Sequence, residues 1–385
     1  MKIVIAPDSF KESLGAAQVA RAIEKGLRRV LREAQITRVP MADGGEGTVE
    51  AVTAATGGRR VRRVVAGPLG QPVRAMFGLL PDGSAIIEMA AASGLPLVAP
   101  AQRNPLKTTS FGTGQLIRAA LALGAKRIVI GIGGSATNDG GAGMAQALGA
   151  VFRDSRGRVL KQGLAGGDLG AIASIELEGL VSTLGSAEML VACDVRNPLC
   201  GPQGASAVFG PQKGASPAQV RVLDQHLRHF GQLLERATGQ RIVKRPGAGA
   251  AGGLGAALMG FCQGRLMPGA VLVTELVGLA AHLRGADLVI TGEGRIDFQT
   301  AFGKAPAGVA TLARSMNVPV IAVGGGLSDD AHLAFRHGFD ALEAAVARPM
   351  ELADAMRDAR VNLERAGERI GHWLLLGQRL SHRQS

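Results

Sequence analysis

The 385-residue chain has no tyrosine and one tryptophan, Trp373. Single-stranded nucleic acid is held largely by stacking on such rings, so nucleic acid is not an expected partner despite a formal charge of +12. The densest basic run, Arg59-Arg60-Val61-Arg62-Arg63, has no interleaved aromatic residue and reads as a solvated face. Cys193, Cys200 and Cys262 are too few and too scattered for a disulfide framework or a zinc ligand set, and they fit a reducing cytoplasm. No run of about 18 apolar residues occurs, so no membrane span is expected. The apolar start of the chain ends at Pro7, too short for a signal peptide. The seven histidines, among them His226, His229 and His282, lie in helical contexts away from the polar clusters, and none is assigned to catalysis.

Apolar residues make up 46% of the chain, enough for a large core, and the length predicts two domains or one large one. Strand and helix patterns alternate at both ends. Strands are expected over 2–7, 36–41, 127–130, 288–291, 319–323 and 341–346. Helices are expected over 14–31, 47–55, 114–123, 306–316 and 329–337, with a closing amphipathic helix over about 350–376. Repeated strand–helix units predict a mainly parallel sheet with helices on both faces. Between 59 and 105 the rhythm changes to short strands separated by Gly67-Pro68, Gly70-Gln71-Pro72 and Pro81-Asp82-Gly83, which reads as an antiparallel meander. A second irregular stretch runs from 157 to 283. The expected organisation is therefore α/β: a discontinuous sheet domain from 1–58, 106–156 and 284–385, and a second, inserted α/β domain from 59–105 and 157–283. The linkers near Arg59, Pro105 and Leu283 are the expected hinges.

The most informative stretch is Gly131-Ile132-Gly133-Gly134-Ser135-Ala136-Thr137-Asn138-Asp139-Gly140-Gly141. It follows the apolar run Ile128-Val129-Ile130 and precedes a helical pattern at 144–148. Glycines let backbone approach a ligand closely, and a helix start presents unpaired amides, so the arrangement favours an anion, most often a phosphate. In open α/β sheets, ligands bind beyond the carboxyl ends of the strands. Acids fall at several such ends: Asp8, Asp43, Asp139, Asp194, and the run Glu293-Gly294-Arg295-Ile296-Asp297. Any one of them is explained as a cap or turn residue. Gathered in a crevice, they suit magnesium coordination and proton abstraction from a hydroxyl. Arg295 and Lys304, which follows Gly303, offer cations for a carboxylate or phosphate. Lys213 sits in a tight Gly/Pro loop, and 247–255 is either a second anion nest or a site of close helix packing.

Other nucleotide-binding patterns fit less well. Gly303-Lys304-Ala305 lacks the magnesium-binding hydroxyl of a P-loop, and there is no protein-kinase signature. Gly131-x-Gly133-x-x-Ala136 matches a dinucleotide fingerprint with Asp154 as the ribose acid. That leaves an NAD(P)-dependent hydroxy-acid dehydrogenase as an alternative, with a non-catalytic sugar-acid-binding regulatory protein as another. Against the first, Asp154-Ser155-Arg156-Gly157 reads as a turn within a hairpin.

Taken together, the motifs resemble the bacterial-type glycerate kinases. The matching blocks are Ala6-Pro7-Asp8-Ser9-Phe10-Lys11-Glu12-Ser13-Leu14, Pro40-Met41-Ala42-Asp43-Gly44-Gly45-Glu46-Gly47-Thr48 and Glu88-Met89-Ala90-Ala91-Ala92-Ser93-Gly94-Leu95. Thr109-Ser110-Phe111-Gly112-Thr113-Gly114, the glycine loop, Ala192-Cys193-Asp194-Val195-Arg196-Asn197-Pro198-Leu199 and the stretches 209–215, 247–255 and 291–304 continue them, in order, over nearly the whole chain. The resemblance implies a kinase with a Rossmann-like domain and an inserted domain, an active site in the cleft between them, and ATP, Mg²⁺ and D-glycerate as ligands. The expected product is 2-phosphoglycerate, the residues leaving C2 or C3 open. Residue chemistry and motif position then assign roles. Asp194 is the first choice to accept the hydroxyl proton and Asp297 the second. Asp43 and Glu293 hold magnesium. Lys11, Arg295 and Lys304 hold the carboxylate and the transferring phosphoryl group. Gly133, Gly134, Ser135 and Asn138 cradle the nucleotide phosphates.

Overall fold

In the computed structural model, residues 1–301 and 304–381 are described, and they fold into two compact units. The first comprises Met1–Asp43, Glu50–Thr56 and Gly269–Ser385. Its strands Lys2–Ile5, Gln35–Arg38, Leu288–Ile296, Val320–Leu327 and Ala341–Ala344 form one wholly parallel sheet. Numbered in chain order within the unit they lie 2-1-3-4-5, a doubly wound order. Ile3, Val4, Ile5, Val289, Ile290 and Val320 are buried, as expected for central parallel strands covered on both faces.

Helix Ala16–Val30 packs against helix Ala359–Ser381 at unusually close range. A Cβ on Gly26 would stand 1.9 Å from the Glu364 carbonyl oxygen, and one on Gly367 would stand 2.3 Å from that of Ile23. Lys25 and Arg29 reach Glu364 at 2.9 and 2.8 Å across the contact. The closing helix expected over 350–376 is two helices, Leu352–Arg357 and Ala359–Ser381. Asp358 is the break, an acid that competes for backbone partners better than it continues a helix.

The second unit comprises Gly44–Val49 and Gly57–Pro268. Its main sheet runs Arg265–Met267, Glu188–Ala192, Arg127–Gly131, Ser84–Glu88, Pro72–Leu79, Arg59–Ala66. The first four strands are parallel, and the last three form the expected meander. Phe230 joins the unit's core to Phe152 and Phe261, at ring centroid distances of 6.3 and 6.2 Å.

This arrangement differs from the domain division expected from the sequence. The strand that opens the glycine loop, Arg127–Gly131, pairs on both sides within the second unit's sheet rather than with the strands of the chain ends. The unit boundaries fall at 43/44, 49/50, 56/57 and 268/269; the third lies beside the expected linker near Arg59, and none lies at Pro105 or Leu283. Hydrophobic periodicity identifies a buried parallel strand, but it looks the same in either sheet.

Candidate functional site

In a 2-1-3-4-5 sheet the chain reverses direction between its first and third strands, and a crevice opens beyond their carboxyl ends. Here that place holds a cavity of about 620 Å³ within the first unit. Asp8, Ser9, Phe10 and Lys11 line it from the end of the first strand, and Asp43 follows the second. The third strand does not stop at Thr291 as expected. It runs on to Ile296, with Glu293, Arg295 and Ile296 paired to Gly324, Gly326 and Leu327. Alternation along a strand sends residues two apart to one side, so Glu293 and Arg295 line the cavity with Asp297 just beyond, while Ile296 is buried. Lys304, preceding helix Ala305–Ser315, completes the polar side. Gly303 lies outside the described residues. Leu327, Val346, Met350, Leu352 and Met356 form an apolar wall.

Four carboxylates and three cations thus share one cavity. Asp8 is 7% exposed, and burial pushes its carboxyl up to about 7, with the charges of Asp43 and Glu293 adding to the rise and Lys11 opposing it. Its Oδ1 accepts the Ser9 amide at 2.6 Å. Burial also raises Glu293, against the pull of Lys304, whose Nζ lies 3.3 Å from Glu293 Oε2. The other oxygen, Glu293 Oε1, is enclosed without a hydrogen-bond partner. Asp297 Oδ1 accepts the Thr300 amide at 3.1 Å while the Asp297 amide donates to the Thr300 hydroxyl at 3.0 Å, which fixes the turn.

No group of three His, Cys, Asp or Glu side chains among the described residues forms a cage for a metal. Magnesium does not need one, because it keeps several waters and takes one or two carboxylates together with substrate phosphates. Asp43 with Glu293, whose Oε1 is orphaned, is a hard-oxygen donor set that fits it.

The glycine loop is in the second unit. A Cβ on Gly131 would stand 2.1 Å from the Gly44 carbonyl oxygen, so only glycine allows that segment to pass. Gly133 and Gly134 are exposed, Gly134 at φ +70°, and their amides meet no protein acceptor among the described residues. Beneath them the loop is tightly bonded. Asn138 is fully buried and donates to Ser206 Oγ at 2.9 Å, so it supports the loop from inside. Asp139, also fully buried, accepts the Ser110 amide and hydroxyl at 2.7 Å each, and the amides of Gly141 and Gly143 at 3.2 and 3.3 Å. Burial raises its carboxyl against these four hydrogen bonds. The amides expected to receive an anion at the start of helix Ala142–Ala147 are therefore already taken by Asp139 and, for Met144, by Ser110 Oγ. What remains open is the turn at Gly133 and Gly134. The stretch 247–255 is closely packed: a Cβ on Gly252 would stand 1.9 Å from the Thr137 carbonyl oxygen, and one on Gly249 2.2 Å from that of Pro198.

Asp194 is exposed, two residues beyond strand Glu188–Ala192. That strand pairs with Arg127–Gly131 up to Gly131 and Ala192, so Asp194 and the glycine loop leave adjacent strands at the same end of one sheet. The acids are accordingly divided: Asp43, Glu293 and Asp297 line the first unit's cavity, and Asp194 belongs to the second unit. Sequence reasoning noted Asp8 after the first strand and gave it no role of its own, although the structure lines the cavity with it. It left Lys213 unassigned. That side chain is 2% exposed and donates to Ser135 Oγ at 2.8 Å and to the Thr137 carbonyl at 2.7 Å, which no spacing rule reveals. Asp154, the ribose acid of the dehydrogenase alternative, accepts the amides of Arg156 and Arg158 at 2.9 Å and is occupied with its own turn.

The sequence profile of the glycerate kinase family matches residues 3–375. The chain belongs to that family. It is 53% identical over 371 residues to a glycerate kinase of Bacillus subtilis (strain 168), covering 96% of this chain and 97% of the relative. It is 51% identical over 380 residues to glycerate 2-kinase of Escherichia coli (strain K12), covering 98% and 99%. The crystal structure of a Salmonella typhimurium LT2 protein assigned as glycerate kinase 2 superimposes with a TM-score of 0.90 at 52% identity, over 98% of this chain and 99% of that one. Membership makes the protein a kinase, so the dehydrogenase and regulatory alternatives fall away. No helix among the described residues is long and apolar enough to cross a membrane.

Proposed function

We propose that the protein transfers the terminal phosphoryl group of ATP to the C2 hydroxyl of D-glycerate, giving 2-phosphoglycerate. The observation that carries this reading is the cavity at the strand ends of the first unit, where acids able to take a proton or a metal stand beside cations able to hold a carboxylate. The choice of C2 is supported by the name of the Escherichia coli relative.

Phosphoryl transfer asks a protein mainly for positioning and charge neutralisation. In this reading the amides of Gly133, Gly134 and Ser135 receive the nucleotide phosphates, on a loop that Asn138 holds from within. Lys11, Arg295 and Lys304 receive the glycerate carboxylate and the transferring phosphoryl group, Arg295 through its planar fork. Asp43 and Glu293 hold magnesium, which when bound neutralises charge on the phosphates. Asp194 accepts the proton of the attacking hydroxyl, with Asp297 as the second choice. A cytoplasmic location agrees with an ATP-consuming reaction and with three free cysteines.

The test is an ATP-coupled assay on D-glycerate with the phosphate position of the product read by phosphorus NMR. Glycerate-dependent ADP formation with the phosphate on C2 is expected. No glycerate-dependent turnover sinks the reading, and a phosphate on C3 corrects the hydroxyl alone.

A further inference from the structure

Lys213 stands apart from the other cations of the molecule. It belongs to the turn Pro211–Lys213, ended by Gly214 at φ +91°, and its side chain is directed into the protein beneath the glycine loop. Two of its three donor positions are used by Ser135 Oγ and the Thr137 carbonyl, both on that loop. No carboxylate among the described residues lies within ion-pair distance of it. Asp139, whose own oxygens are filled by Ser110, Gly141 and Gly143, is the charged group that acts on it. A buried ammonium without a counter-ion is costly, and such a group either gives up its proton or waits for an anion. On the same loop, immediately before Ser135, Gly133 and Gly134 present amides that meet no acceptor among the described residues.

We propose that Lys213 is the charge partner, from beneath the loop, of the nucleotide phosphate bound at residues 133–135, so that phosphate binding and protonation of Lys213 occur together. The inference rests on the phosphate-binding role given above to those residues. Lys213 is a positioning residue: it reaches the phosphate through the Ser135 hydroxyl, which accepts from it and can donate onward, and through its field, while its bond to the Thr137 carbonyl holds it in place, and it does not touch the reacting atoms. Burial draws its ammonium down to about 7, against Asp139, so the free protein near neutral pH holds it partly unprotonated. A phosphate placed above it favours the ammonium and raises that value. By linkage, binding takes up protons above pH 7, and affinity falls as pH rises through the interval between the free and bound values.

The experiment is calorimetric titration of the full chain with ADP from pH 7 to 8.5, in buffers of different ionisation enthalpy. Wild type is compared with Lys213→Gln, which keeps a donor and loses the charge, and with Lys213→Met, which guards against a misfolded amide variant. Gly133→Val is the control on the loop itself: a Cβ there would lie 3.6 Å from its nearest neighbour, the Gly45 Cα, and the branched side chain beyond it covers the open amides. Wild type is expected to take up protons that neither Lys213 variant does, and to lose affinity up to about tenfold per pH unit while the variants stay flat and weaker. Equal proton uptake in wild type and variants, with Gly133→Val still abolishing binding, overturns the inference and leaves the loop's role standing. Undiminished ADP affinity in Gly133→Val overturns both.

Discussion

Ser110 gives both its backbone amide and its hydroxyl to a single oxygen of Asp139, each at 2.7 Å, in a place no solvent reaches. The same hydroxyl accepts the amide of Met144 at 3.0 Å. One internal carboxylate therefore ties the start of helix Phe111–Ala122 to the loop that opens helix Ala142–Ala147. The glycine loop is thus held from within by a carboxyl of the protein's own, while the amides of Gly133 and Gly134 at its outer turn meet no acceptor among the described residues.

Replacing Asp139 by Ala strands the amides of Ser110, Gly141 and Gly143 inside the protein. A loss of roughly 3–5 kcal/mol is expected, in the range for breaking a buried charged network. Urea unfolding measures it, and a loss under about 1 kcal/mol would show that the network relaxes at little cost.

Asp8 should make stability depend on pH. Its carboxyl titrates at about 7 in the folded chain and at 3.8 by the ordinary value, so the folded form holds the extra proton between them. Stability from this group is full below about pH 4 and is lost as pH rises to 7. Asp8→Asn removes that dependence. Its advantage over wild type should grow across this window, to at most about 4 kcal/mol, and stay level above it. Parallel thermal melts of the two proteins at pH 4 and pH 8 that differ by the same amount would contradict this.

Asp194→Asn keeps the shape of the side chain and removes its ability to take a proton. Turnover is expected to fall by about 10²–10⁴ with little change in KM for either substrate. A drop of less than about tenfold would move the role to Asp297.

Lys304→Met removes the cation 3.3 Å from Glu293 Oε2, so the Glu293 carboxyl, already raised by burial, should rise further. If the ionised carboxylate holds magnesium, the acid limb of the kcat/KM profile shifts to higher pH and the magnesium requirement increases. An unshifted acid limb would separate Glu293 from metal binding.

Several features of the site were legible in the letters, and their grouping was not. Val61-Arg62-Arg63-Val64-Val65 and its Gly/Pro turns announced the meander, because alternation and turn chemistry are local. The glycine loop and the acids after strands announced phosphate chemistry, because few other tasks need those residues side by side. The extension of the third strand to Ile296 was hidden, since Gly292, Gly294 and the glycines at 324–326 read as a loop until one strand lies against the other. Lys213 was hidden for the opposite reason. A lysine in a Gly/Pro loop looks exposed, and its burial depends on the loop at 131–141 folding over it.

The sequence alone determined the kinds of element, the residues able to carry charge, and the family likeness that names the chemistry. These follow from local periodicity, backbone preference and motif order, which survive without coordinates. Tertiary structure decided which sheet the glycine loop joins, which acids share a cavity, and which lysine is buried. Those outcomes depend on pairing and close approach between residues far apart in the chain, and on the cost of removing charge from water once that pairing is made.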